Sequence, residues 1–356
     1  MFFLSMEEFK ILIFFTIVVI SGIVLNKVFI KNNFLLNYNG SDHQKFTKNQ
    51  LVPLSGGIVL IISFFFLHFS INDYFVIFLF LMFILGFCSD VGFVQSPKIR
   101  FLVQLLLLFS YVFITNTNIS YIRFDPIDTL LEFKFFNYFF IVICLMILIN
   151  GTNFIDGCNT LVIGYYLILA IILFKLKLLD IIFSDSSSII FLFSILLGTF
   201  FLNLYQKLFL GDSGVYILSF IFGIVLIRIY ESNLWISPYF ICNLLWYPAL
   251  EVLFSIIRKL NLSFSIIRPD TKHFHQLLFF FLTKKVKKFT PNIINGLTAN
   301  VINSYNFFVL IYASSNLSST KIQIFILILN TIIYCSFYFR LFEFRFKKKF
   351  NGKSSR

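Results

Sequence analysis

Long apolar runs, broken by short polar stretches, follow one another from end to end of this chain. A bilayer core takes roughly 20 apolar residues per helix, with about 17 as a practical minimum. On that rule the pattern predicts eleven helical spans, near residues 9–30, 53–70, 74–89, 100–115, 136–151, 158–174, 187–204, 214–230, 237–257, 300–313 and 322–340. Several are short, as helices are where they end at a polar pocket inside a bundle. The expected fold class is all-α, a polytopic integral membrane protein. No Gly/Ser-rich or Pro-rich linker, soluble insertion or internal repeat interrupts the pattern, so a single domain over residues 1–356 is expected. The first apolar stretch runs past twenty residues and has no small-residue cleavage site, which reads as a retained helix and not a signal peptide.

Composition agrees: 59% of residues are hydrophobic and 13% charged, far from a soluble domain. The net charge of +13 does not call for nucleic acid, because Lys and Arg of membrane proteins collect in cytoplasmic loops. With the N-terminus placed outside and the C-terminus in the cytoplasm, 22 of the 29 basic residues fall on the inner side and 7 on the outer. The set inside includes Lys45, Lys98, Arg100, Lys272, Lys284 and Lys285. The cysteines at 88, 144, 158, 242 and 335 are far apart with no CxxC spacing, so neither a disulfide framework nor a thiolate metal site is expected.

Against this apolar background the polar motifs stand out, and with that parity all fall on the cytoplasmic face. Ionisable groups at membrane depth are costly and mark functional sites. Asp90 ends the third span. Asn150, Asn153 and Asp156, three apart, occupy one arc at the end of the fifth, although a hydrogen-bonded seam between helices has the same spacing. Gly211-Asp212-Ser213-Gly214 puts a carboxylate at a helix start, where it is either an N-cap or part of an anion-handling loop. His273-Phe274-His275 lies in a basic loop beside Asp270 and Lys272, where histidines are often simply solvated. Gly56 and Gly57, after Pro53, permit close approach of either a ligand or another helix, and Lys45 lies just upstream. Carboxylates and amides with nearby Lys, Arg and His suit a hard Mg²⁺ ion, with Mn²⁺ as its substitute, acting on phosphate.

In this order the motifs resemble the polyprenyl-phosphate N-acetylhexosamine-1-phosphate transferases of glycosyltransferase family 4. The likeness runs over residues 40–285, leaving the C-terminal helices and basic tail (300–356) outside it. It implies Mg²⁺-dependent transfer of a sugar-1-phosphate from a UDP-N-acetylhexosamine, by default UDP-GlcNAc, to undecaprenyl phosphate in the bacterial inner membrane. UMP would leave, and a lipid-linked envelope glycan such as O-antigen or capsule would be initiated. By the same resemblance Asp212 matches the metal aspartate. Asp90 matches the second residue of an Asp-Asp pair that activates the lipid phosphate. Asn150, Asn153 and Asp156 match the catalytic stripe, and His273 and His275 the donor-phosphate motif, with Lys45, Gly56 and Gly57 in the substrate loop.

The departures are Ser89 in place of the first Asp, Thr47 in place of a frequent His, Leu54 in place of a frequent Arg, and the lack of three consecutive histidines. Two other classes stay open on the residues alone: a transporter or flippase with an acidic ion relay, and a degenerate, non-catalytic homologue. Helix faces leave room for a homodimer, though no residue argues for one.

Overall fold

A computed structural model describes residues 6–36, 52–67, 69, 71–183, 185–261 and 271–350; Lys45, Thr47 and Asp270 lie outside them. The described residues form α1 (Met6–Lys31), α2 (Gly56–Phe64), α3 (Asp73–Val91), α4 (Pro97–Thr115), α5 (Asp125–Leu131), α6 (Lys134–Ile155) and α7 (Leu161–Lys175). They continue as α8 (Ser186–Leu204), α9 (Gly211–Ser232), α10 (Pro238–Leu244), α11 (Trp246–Asn261), α12 (Phe274–Lys285), α13 (Pro291–Ser314) and α14 (Thr320–Phe350). Two isolated bridges, Leu36–Pro53 and Phe69–Phe183, are the extended pairings among them.

Every predicted span overlaps a helix, with 237–257 divided between α10 and α11, but the count of eleven crossings is not confirmed. Seven described helices are long and apolar enough to cross a membrane: α1, α3, α4, α6, α8, α9 and α14. An eighth crossing results if α10 and α11, which meet at a 77° bend, form one broken span. The predicted 53–70 span shrinks to the nine residues of α2, because the helix stops at Phe64 and the chain turns into coil. The 158–174 span is the 15-residue α7. Around 300–313 the helix is longer than expected, but α13 carries Asn292, Asn295, Asn300, Asn303 and Asn306 and is too polar to be among the seven. The bend falls at Leu245, three residues before Pro248, which occupies the first turn of α11, where its missing N–H costs nothing.

α9 is the central helix. It is apolar all round, the signature of an element enclosed on every side, and 89% of its apolar window is buried. α2, α3 and α6 pack around it. α3 is bounded by Asn72, whose side chain accepts from Phe75 N at 3.0 Å, and by Gly92 at φ +90°, a left-handed stop that glycine adopts without strain.

The start of α9 is held backbone to backbone. Gly56 N donates to Phe209 O (2.9 Å), Gly57 N to Leu210 O (3.2 Å), and Phe209 N to Pro53 O (2.9 Å). A Cβ on Gly57 would come within 2.2 Å of Ser213 Oγ, and one on Gly86 within 2.4 Å of Ser213 Cα. The glycines of α2 and α3 therefore let two helices touch the first turn of α9 directly.

The far end of the bundle is closed by a polar clasp. Arg123, in the 116–135 connection, donates to the carbonyls of Leu234, Trp235, Ile236 and Ser318 at 3.0–3.1 Å. Asp128 accepts from Ile122 N and Phe124 N. Arg123 and Asp128 thus tie this connection down chiefly through backbone groups.

Candidate active site

Four helix ends meet where the sequence motifs lie: the last turn of α3, the foot of α6, the first turn of α9 and the start of α12. Gly211, at φ +68°, turns the chain into α9 so that its first amides face Asp90. Asp90 Oδ1 accepts from Asp212 N at 2.7 Å, and Oδ2 accepts from Ser213 N at 3.1 Å and Ser213 Oγ at 2.6 Å. Both oxygens are thus committed to the N-terminus of α9, which has unpaired N–H groups and a positive dipole end. The residue expected to activate a substrate has the geometry of a helix cap supplied from another helix.

Asp212 points the other way. Its Oδ2 accepts from Ser89 Oγ at 2.6 Å and is paired with Arg100 Nη1. Arg100 Nη1 also donates to Ser89 Oγ at 2.8 Å. Ser89, the departure from the family pattern, therefore relays between a guanidinium and the aspartate. No described residue donates to Asp212 Oδ1.

The α6 stripe divides in two. Asn150 Nδ2 donates to Met146 O (2.8 Å) and to Gln104 Oε1 of α4 (3.3 Å), the inter-helix seam that its spacing also allowed. Asp156 is the residue after the last turn of α6. Its removal from bulk water, reinforced by the negative charges of Asp212 and Asp90, pushes its carboxyl from 3.8 up to about 7. A carboxyl raised by folding favours the folded state while it is protonated, so that contribution is full below about pH 4 and is lost as pH rises to about 7. Without added divalent cation, the unfolding midpoint of the protein should fall between about pH 4 and 7, and Asp156→Asn should flatten the slope. An unchanged slope in the variant would show that Asp156 is not the group responsible.

The histidine motif, expected in a loop, begins a helix. His273 is the N-cap of α12, and its N–H donates to Gln276 Oε1 at 3.1 Å. His275 is buried against the turn that follows α6: a Cβ on Gly157 would clash with its Nε2. Burial, with the neighbouring His273, pushes the His275 imidazole down to about 3, so the ring is neutral at physiological pH. Neither of its nitrogens has a hydrogen-bond partner among the described residues. The rings of His273 and His275 lie parallel with centroids 5.9 Å apart, and His273 lies 5.1 Å from the ring of Phe154 on α6.

The structure thus brings Asp90, Asp156, Asp212 and the two histidines to one end of the bundle. Gly56 and Gly57 serve there as contact surface for α9. Sequence reading missed Gln104 and Glu251, and took Arg100 only as a neighbouring charge. Glu251, a carboxylate inside the apolar 237–257 run, is the signal that was available for the second.

An all-helical, multi-pass membrane protein with acidic and amide groups gathered at helix ends is the class these features define. The sequence profile of glycosyl transferase family 4 matches residues 72–230, which carry Asp90, the α6 stripe and the Gly211–Gly214 turn. Two curated bacterial proteins are similar. One is a probable undecaprenyl-phosphate N-acetylglucosaminyl 1-phosphate transferase of Bacillus subtilis, 28% identical over 57% of this chain and 56% of its own length. The other is an undecaprenyl-phosphate alpha-N-acetylglucosaminyl 1-phosphate transferase of Thermotoga maritima, 27% identical over 64% of this chain and 67% of its own. The chain therefore spans little more than half of the first relative and about two thirds of the second. By this profile and these relatives the chain is similar to glycosyl transferase family 4 over the segment that carries the aspartate and asparagine motifs.

Proposed function

We propose that this chain transfers N-acetylhexosamine-1-phosphate from a UDP-sugar, UDP-GlcNAc by default, to undecaprenyl phosphate, releasing UMP and initiating a lipid-linked envelope glycan such as O-antigen or capsule. The observation that carries the reading is the turn at the start of α9. There Asp90 fixes the backbone and presents Asp212, with one oxygen that meets no donor among the described residues, beside Asp156 and the histidine motif. Both relatives are named for this reaction with undecaprenyl phosphate and N-acetylglucosamine. The excess of basic residues on the same side supports a site facing the cytoplasm of a bacterial inner membrane, where a soluble nucleotide sugar and a bilayer lipid meet.

In the transfer, an oxygen of the lipid phosphate attacks the β-phosphorus of the donor. The new P–O bond joins lipid and sugar phosphates as a pyrophosphate, and the bond to the α-phosphate breaks, its electrons leaving with UMP. Such phosphoryl transfer depends on positioning and charge neutralisation more than on covalent chemistry. Arg100 holds Asp212 in place, and the histidine motif packs against the foot of α6 and the turn after it.

Mg²⁺, or Mn²⁺ in its place, supplies charge neutralisation on the donor pyrophosphate when bound. Among the described residues no group of three His, Cys, Asp or Glu forms a cage for a metal. Mg²⁺ commonly takes one or two carboxylates with substrate phosphates and water, and Asp212 and Asp156 fit that role. Burial, with the negative charges of Asp212 and Asp90 added to it, raises Asp156, and a divalent cation would offset both the lost hydration and the repulsion.

The test is UMP release by membranes containing the chain, given undecaprenyl phosphate, Mg²⁺ and a panel of UDP-N-acetylhexosamines. Release should require lipid, cation and one donor together. Folded protein that stays silent across the panel would leave a non-catalytic homologue as the better account.

A further inference from the structure

Behind the histidine motif lies a buried carboxylate that the family match, ending at residue 230, does not reach. Glu251 of α11 is 2% exposed. Its Oε1 is 3.0 Å from His273 Nδ1 and accepts from Phe274 N at 3.1 Å, and its Oε2 accepts from Tyr334 OH of α14 at 2.8 Å. A buried carboxylate is tolerated when its lone pairs are met by donors, and here all three donors come from other elements. Phe274 N is in the first turn of α12, so the same oxygen that meets the imidazole also caps that helix.

We infer that Glu251 is a positioning residue for the histidine motif: it holds His273 as the Nδ1–H form with its ring against α6, and Tyr334 in turn holds Glu251. A carboxylate only accepts, so the nitrogen it faces must carry the proton. The arrangement also ties α14, near the end of the chain, to the reaction site through two hydrogen bonds. Carboxylates behind a working imidazole set its tautomer and orientation in this way, and losing one commonly costs about 10–100-fold in ligand affinity or activity.

The role of His273 toward phosphate rests on the transfer reading; the tautomer does not, and the experiment separates the two. The full chain, in lipid nanodiscs and labelled with ¹⁵N-histidine, has four histidines, and His273→Gln identifies the resonances of interest. His273 should show a protonated Nδ1 in a strong hydrogen bond. Glu251→Leu should abolish that signature and lower kcat/KM for the UDP-sugar by about 10–100-fold. Glu251→Gln, which keeps an acceptor but not the charge, should restore most of the turnover and move the Nδ1 resonance toward that of a neutral hydrogen bond.

If Glu251→Leu fails to fold, the Gln resonance shift decides alone. An unprotonated Nδ1 in the unsubstituted protein, or a resonance unmoved by Glu251→Gln, overturns the inference. If the tautomer behaves as described while no UMP forms from any donor, the transfer reading fails and the positioning role stands.

Discussion

Asp212→Asn should lower UMP release by about 10³-fold, the scale on which single charged groups act in phosphoryl transfer, while shifting the unfolding midpoint little. Asparagine keeps the size of the side chain and one acceptor for Ser89 and Arg100, so the local fold has no reason to collapse. What it loses is the negative charge that faces the site through Oδ1. Raising the Mg²⁺ concentration should not restore the rate. Since Ser89 replaces the first aspartate of the usual pair, this chain has one fewer carboxylate to substitute for Asp212, which sharpens the expected loss. A variant retaining a tenth or more of the activity would remove Asp212 from the centre of the reaction.

Asp90→Ala should instead unfold the site. Three donors, two backbone N–H groups and the Ser213 hydroxyl, lose a charged acceptor at the first turn of the most enclosed helix. Hydrogen bonds to charged groups contribute roughly 1.5–3 kcal/mol each, and an N-cap alone about 1. A loss of about 3 kcal/mol or more is therefore expected, read as a fall in the denaturant midpoint in detergent micelles. Asp90→Asn should fall between, since an amide offers one acceptor oxygen where two are used. Were Asp90 only a group acting on substrate, both variants would be inactive but as stable as the unsubstituted chain. That contrast, inactivity with or without instability, separates a catalytic aspartate from one that shapes the loop carrying another.

The helical class and the places of the motifs were legible because they rest on local pattern: apolar runs long enough to cross a bilayer, ended by Asp, Asn and Gly. What each polar group does was not, because the partners are distant in sequence. Asp90 and Asp212 read as equivalent carboxylates, and nothing local says that one caps the helix on which the other stands. Asn150 pairs with Gln104, 46 residues away, and Glu251 was hidden by the apolar run around it. The span count is not confirmed, because length alone does not tell crossing helices from short ones such as α2 and α7. The bend before α11 was announced by Pro248 and overlooked. α12 was read as loop because His-Phe-His was weighed for its side chains and not for the capping pair of His273 and Gln276.

The bond between Asp90 and the start of α9 also bears on how the chain is made. Its acceptor leaves the ribosome 122 residues before its first donor, so α3 must settle in the membrane with a carboxylate whose partners do not yet exist. At mid-bilayer that interval would expose the charge to lipid with no compensation. In the last turn of α3 it is spent at the edge of the apolar layer, where water serves until α9 arrives.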